Sequence, residues 1–228
     1  MKFKVSTNSA AIQESGSGSS YIYKSGIYDV TINFASMATS KNGAESINFN
    51  VDYNGNGQTI YGPYVTDRNG DTLEIGAKLI NKLAIIAGME DGDDFEIEEQ
   101  THAVGKDNKE QELAVITNFS DLPVKIRLQE EYSINPNTKE IQKSLVIKNF
   151  FAENGASAEE LVNGTEVGKR LALETEKYAD NVTYKDDLTP EMVQEWRDAK
   201  AAEAKGGKPA PKAKPTAAPA KKAGSLFK

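Results

Sequence analysis

The sequence predicts a mainly β fold of the α+β type with one internal helix. Apolar and polar residues alternate along four segments, and this alternation is typical of half-buried strands. The segments are 26–38, 47–53, 123–134 and 140–152. Residues 76–89 instead carry their apolar side chains at helical spacing and reach Gly88, a plausible C-terminal cap. The helical segment therefore lies between the second and third of these four strand segments.

Glycine-rich turns separate the early strands. "TSKNG" (39–43) contains the Asn-Gly pair of a hairpin, and "NGNG" (54–57) makes a second turn. "QTIYGPYVT" (58–66) then predicts a third strand, in which Gly62-Pro63 indicates an edge or a bulge. The segment from the acidic run "EDGDDFEIEEQ" to about residue 117 has no clear assignment. The predicted order is three strands, a helix and two strands.

That order is the order of an OB-fold, a small and partly open barrel that binds oligonucleotides or oligosaccharides. A generic α+β domain and a β-sandwich are the alternatives. The prediction is thus a five-stranded barrel with a helix between strands 3 and 4, followed by C-terminal helices and a disordered tail.

Composition divides the chain into four parts. They are a flexible leader (1–20), the OB-fold domain (21–156), a helical extension (157–206) and a disordered tail (207–228). Ser157 and Glu160 form a capping box, and Thr189 with Pro190 is helix-start chemistry. Trp196 lies on the last helix, where we expect it to anchor that helix to the barrel.

Charge separates the tail from the rest of the protein. Residues 207–228 contain six lysines and no acidic residue, whereas the 228-residue chain is formally −7 at pH 7. Removing the tail's +6 leaves −13 on residues 1–206. Such an acidic body argues against a duplex-DNA binder with a wide basic surface, but it is compatible with a narrow cationic groove.

Several classes of protein are disfavoured by the sequence. Cysteine is absent, which excludes disulfides, thiolate zinc sites and a cysteine nucleophile. The single histidine, His102, has no partner motif, and the calcium-like loop at 67–78 lacks the required glycine and glutamate. We expect no enzyme activity, no cofactor and no metal. Without a long apolar run or a signal peptide, we expect a cytoplasmic protein with no membrane partner.

Aromatic and cationic residues are concentrated on the predicted strands and on the first loop. Single strands of nucleic acid are held by aromatic rings that stack on bases and by cations that follow the backbone. The candidate nucleic-acid-binding residues are Lys41, Tyr53, Tyr61, Tyr64, Lys125, Arg127, Lys143, Lys148, Phe150 and Phe151. Because adjacent strand residues point to opposite faces, we expect one of Phe150 and Phe151 to be exposed. The alternative reading is ordinary core aromatics and a solvated lysine face.

The chain resembles the single-stranded DNA-binding proteins of bacteriophages that carry an OB-fold. The resemblance covers roughly residues 20–152 and rests on "GIYDVTINFASMATSKNGAESINFNVDYNG", "YGPYVT", "GAKLINKLAIIAGM" and "LPVKIRLQEE…IQKSLVIKNFF". It implies non-specific binding of single-stranded DNA and contacts with replication or recombination proteins. Many such proteins end in an acidic tail with an aromatic tip, whereas this tail is basic and ends near Leu226-Phe227.

The function expected from the sequence is therefore sequence-independent binding of single-stranded DNA in phage DNA replication or recombination, in the host cytoplasm if the protein is phage-encoded. Leu226 and Phe227 are the candidate partner-binding residues. The alternatives are a non-enzymatic structural or interaction protein, such as a β-rich virion or scaffold subunit, and a carbohydrate-binding OB module.

Overall fold

A computed structural model describes residues 21–105 and 109–204 of the chain. The predicted leader (1–20) and tail (207–228), including Leu226 and Phe227, lie outside the described residues. The division of the chain into four parts therefore stays a prediction.

The described residues form one open sheet of eight strands, with helices packed on it. The strands are β1 (Gly26–Thr39), β2 (Glu45–Tyr53), β3 (Asn56–Ile60), β4 (Ile97–Val104), β5 (Lys109–Ile116), β6 (Leu122–Ile134), β7 (Ile141–Ala152) and β8 (Val182–Tyr184). The helices are α1 (Glu74–Ile86), α2 (Ala158–Asn163), α3 (Lys169–Tyr178) and α4 (Pro190–Ala204), and a short 3-10 turn spans Thr117–Phe119. None of the described helices is both long and apolar enough to cross a bilayer.

The long first strand organises the sheet. One edge of β1 pairs with β2, and the other edge pairs with β6 along Gly26–Ile32 and with β5 at Ala35–Ser36. The remaining neighbours extend the sheet through β2–β3, β5–β4 and β6–β7 pairs, and all of these pairings are antiparallel. Among the eight described strands, the short β8 alone runs parallel to its partner, β6.

The mainly β prediction is confirmed, together with four of the five predicted strands and the internal helix. The third strand is shorter than predicted, because β3 ends at Ile60 and residues 61–66 make only isolated bridges. Helix α1 ends as predicted, since Gly88 adopts φ +85° and the amides of Gly88 and Met89 bond back to Ile85 and Ala84. The predicted capping box at Ser157 is also present.

The sequence predicted neither the short β8 nor the hairpin formed by β4 and β5. Its side chains are mostly exposed or half-buried, and only Val115 and Ile116 at its base enter the protein interior. Strand periodicity comes from burying one face, so a hairpin with few buried residues leaves little periodic signal.

The sheet curls around its core. The rings of Phe49 on β2 and Phe150 on β7 lie 5.4 Å apart, although β1 and β6 stand between these strands. In a flat sheet, strands three positions apart would be separated by about 14 Å. Curling therefore brings the two sides together, and α1 packs the buried Leu79, Ile80 and Leu83 into the same core.

The five-stranded barrel that the sequence predicts is not closed. The curled part of the sheet has the strand order β3–β2–β1–β6–β7. Its two end strands, β3 and β7, are not joined by backbone hydrogen bonds within the described ranges. The segment before β1, residues 21–25, lies between them instead, and we call it the lead-in segment. Ile22 is buried in the core, its amide donates to Oε1 of Gln58 (2.8 Å), and its carbonyl accepts from Nε2 of Gln58 (2.9 Å). The side-chain amide of Gln58 thus makes the two hydrogen bonds that the backbone of a neighbouring strand would otherwise make with Ile22.

The C-terminal helices pack on opposite faces of β6, α3 on the outer face that carries Arg127 and α4 on the core-side face that carries Tyr132. Helix α3 places Glu174 against Arg127 of β6 (3.0 Å), and α4 places Trp196 edge-on against Tyr132 of β6, with ring centroids 6.2 Å apart. The expected anchoring role of Trp196 agrees with this packing, in which the buried Val193 and Leu188 also take part.

Gly62 is required by the close approach of two backbones. A Cβ at this position would lie 1.7 Å from the carbonyl oxygen of Ile47, so an alanine forces the segment away from β2. We expect Gly62→Ala to lower the free energy of unfolding by roughly 2–3 kcal/mol in urea denaturation. Gly57→Ala is the matched control, because a Cβ there meets nothing within 4 Å. Equal stability of the two variants would contradict the close approach.

Candidate nucleic-acid interface

A shallow groove lies where the sheet is open. It has a cavity volume of about 430 Å³ and is lined by the lead-in segment, by β3 and by β7. The lining residues are Ile22, Tyr23, Gln58, Thr59, Ile60, Tyr61, Lys143, Ser144 and Leu145. We call it the Tyr23–Tyr61 groove.

Two tyrosine rings at this groove are available to solvent. Tyr61, directly after β3, is 75% exposed, and Tyr23 on the lead-in segment is 49% exposed. Neither belongs to the buried core. Exposed rings on either side of a groove can stack on planar ligands such as nucleobases.

Lys143 supplies the positive charge of the groove. Its ammonium group donates to the carbonyl oxygen of Tyr23 and lies 5.9 Å from the centre of the Tyr23 ring. The same ammonium group is 3.2 Å from Oε2 of the buried Glu130. Lys24 adds a second cation beside the same ring, at 5.4 Å from its centre.

Glu130 stays charged behind the groove. Burial by itself would raise the pKa of this carboxyl, but the hydrogen bond from Tyr132 and the charges of Lys143 and Arg197 outweigh burial and lower the pKa. The carboxylate is therefore a permanent counterion for the cations around it at neutral pH.

A second exposed group continues from Tyr61. Tyr64 is 52% exposed and bridges to Ser46 of β2. Lys41 is exposed in the loop between β1 and β2. A Cβ on Gly43 of that loop would lie 3.5 Å from the carbonyl of Arg68, so the exposed Arg68 stands next to this loop. Rings and cations thus follow one another from the groove to the β1–β2 loop.

Of the candidates from the sequence, the structure brings Tyr61 and Lys143 into one groove and leaves Tyr64 and Lys41 exposed outside it. The ammonium group of Lys125 forms an ion pair with the carboxylate of Asp29. Tyr53 is half-buried and packs edge-to-face on Tyr28, with centroids 5.5 Å apart. Lys148 is half-buried at the bulge of β7, where it is the extra residue in the pairing with β6.

The expectation that Phe150 or Phe151 is exposed is wrong, because both side chains are fully buried. Phe150 packs into the core on the inner face of the sheet. The outer face of β6 and β7 is not solvated as the expectation assumed, since α3 covers it through the contacts of Glu174 with Arg127 and Asn149. Neither phenylalanine is therefore accessible to a base in this structure.

Arg127 is likewise not a solvent-facing cation. Its side chain is only 12% exposed, pairs with Glu174 and lies 5.4 Å from the ring of Tyr178. Burial lowers the pKa of Arg127, and the charge of Glu174 opposes that shift. The outward direction inferred from strand alternation is right, but the face it points to is covered by α3.

Sequence reasoning missed Tyr23 and Gln58. The signal that was available is the stretch "YIYK" (21–24), in which two tyrosines flank an isoleucine just before β1. Its alternation indicates an extended segment, but only the tertiary structure places it between β3 and β7.

No protein-family model matches this sequence, and no curated protein is significantly similar to it. The class that the structure defines is a mainly β protein with an open, curled eight-stranded sheet and helices packed on it.

Proposed function

We propose that this protein binds single-stranded DNA without sequence preference and has an OB-like core. The observation that carries the proposal is the Tyr23–Tyr61 groove, where two exposed rings flank one lysine. Rings that stack on bases and a cation that neutralises phosphate are the two components of single-strand binding. The continuation to Tyr64 and Lys41 offers a path for a strand beyond the groove.

The arrangement of the strands supports the OB-like part of the proposal. Strands β1, β2, β3, β6 and β7 form a curled antiparallel set, and α1 falls between β3 and β6 along the chain. The five-stranded, partly open OB barrel has a helix at the corresponding place. The β4–β5 hairpin and the C-terminal helices would then be additions to this core.

The charge distribution favours a single strand over a duplex. The groove cations Lys24 and Lys143 stand on a body that carries −13 in total over residues 1–206 once the tail's +6 is removed from the chain's −7. A duplex presents phosphates on a broad surface and needs an equally broad basic face. A single strand can lay its bases on the rings and keep most phosphates in solvent.

Binding of a fluorescent 30-mer of dT, measured by anisotropy against a 30-base-pair duplex over a salt series, tests this proposal. We expect the single strand to bind far more tightly, with log affinity falling by about 0.7 per phosphate neutralised for each unit of log salt. Lys143→Ala should reduce that slope by about 0.7. Lys177→Ala, an exposed lysine on α3, is the matched control and should leave the slope unchanged.

Absence of dT binding at low salt would contradict the proposal. An effect of Lys177→Ala equal to that of Lys143→Ala would show diffuse attraction and would contradict the assignment of the groove.

A further inference from the structure

The lysine of the groove shares its buried counterion with an arginine of the C-terminal helix. Oε2 of Glu130 accepts from Nη2 of Arg197 (2.9 Å) and from the hydroxyl of Tyr132 (2.7 Å), and it lies 3.2 Å from Nζ of Lys143. Glu130 itself is 5% exposed. Three donors from β6, β7 and α4 therefore converge on one carboxylate oxygen.

We infer that Arg197 is a positioning residue for DNA binding: by remaining with Glu130, it allows Lys143 to leave that carboxylate for a phosphate. The inference rests on the proposed function of the groove. Arg197 does not line the groove, so it acts through Glu130 and Lys143 and not by touching DNA there.

The two cations differ in how firmly they are held. Arg197 also donates through Nε to the hydroxyl of Tyr132 (3.1 Å), and its guanidinium lies 5.1 Å from the centre of the Tyr132 ring. Tyr132 is fully buried, and the neighbouring Trp196 fixes α4 against it. Lys143 instead has a long flexible stem and reaches into the groove, where its other partner is a backbone carbonyl.

Desolvation decides what happens when Lys143 moves. A buried carboxylate that loses its only cation is strongly unfavourable. With Arg197 in place, Glu130 keeps one cation and two hydrogen bonds after Lys143 has moved to a phosphate. Without Arg197, Lys143 is the remaining cation on Glu130 and is retained there. The packing of α4 on β6 therefore determines whether Lys143 is free to bind a phosphate.

The test uses the full chain and the dT 30-mer. Arg197→Met keeps much of the apolar stem and removes the charge, and we expect it to weaken binding about three- to tenfold and to reduce the salt slope by about 0.7, as Lys143→Ala does. Arg197→Lys should keep near wild-type binding. Glu130→Gln combined with Arg197→Met should restore the affinity and the slope, because the neutral amide no longer retains Lys143.

Lys200→Met is the matched control on the same helix, since Lys200 is exposed and pairs only loosely with Glu203 at 3.5 Å. Trp196 fluorescence reports whether α4 stays docked in each variant. An unchanged slope in Arg197→Met, or no recovery in the double variant, would overturn this inference while Lys143→Ala still lowers the slope. If Lys143→Ala itself has no effect, the proposed groove is wrong.

Discussion

Replacing Tyr61 with alanine is expected to weaken binding of the dT 30-mer about 5- to 150-fold. A base that stacks on an aromatic ring contributes roughly 1–3 kcal/mol, and about 1.4 kcal/mol corresponds to a factor of ten. Tyr61 is the most exposed of the described tyrosines at 75%, so a stacked base meets little competition from protein contacts. The loss should be similar at low and high salt, because stacking releases no counterions.

The same exposure makes Tyr61 a clean variant. Its ring is not part of the core cluster, so thermal unfolding of Tyr61→Ala should match that of the wild type. Tyr61→Phe should retain most of the affinity, because the ring and not the hydroxyl carries the stacking. Val162→Ala, at a 67% exposed apolar residue on α2, is the control for general loss of apolar surface. Wild-type affinity in Tyr61→Ala would contradict base stacking at this groove.

The second large effect is expected at Glu174, where we predict that Glu174→Ala lowers the free energy of unfolding by about 3–5 kcal/mol. This carboxylate is buried and pairs with Arg127 at 3.0 Å and with Arg170 at 2.7 Å. It also accepts from Asn149 at 2.9 Å. Its removal leaves the charge of Arg127 buried without a carboxylate, and an arginine does not become neutral to relieve that cost.

Urea denaturation measures this loss. The double variant Arg127→Met with Glu174→Leu should recover most of the stability, because apolar pairs of similar volume often replace a buried ion pair without cost. Glu176→Ala, exposed on the same helix, should stay within about 0.5 kcal/mol of the wild type. A similar loss in the single and double variants would contradict the unpaired charge as the cause and would point instead to the lost bonds of Glu174 to Asn149 and Arg170, which both variants remove.

The double variant also separates the structural role of Arg127 from the DNA-binding role predicted for it. Since α3 covers this side chain, we expect the salt slope of dT binding to be the same in the double variant and in the wild type. A smaller salt slope in the double variant would indicate that Arg127 contacts a phosphate of the bound strand.

The sequence by itself determined the elements whose signal is local. Alternation located β1, β2, β6 and β7, because each alternates buried and less buried residues over part of its length. The positive φ of Gly88 and the capping box at Ser157 could also be read directly, because a helix end needs particular residues within one turn.

Tertiary structure decided what lies on each face and which distant residues meet. Strand alternation places Arg127 and Phe151 on the face opposite the core, but it contains no information about α3, which lies on that face. The groove depends on Tyr23 and Lys143, which are 120 positions apart. Their meeting follows from the curl of the sheet and the gap between β3 and β7, which are properties of strand packing and not of any single segment.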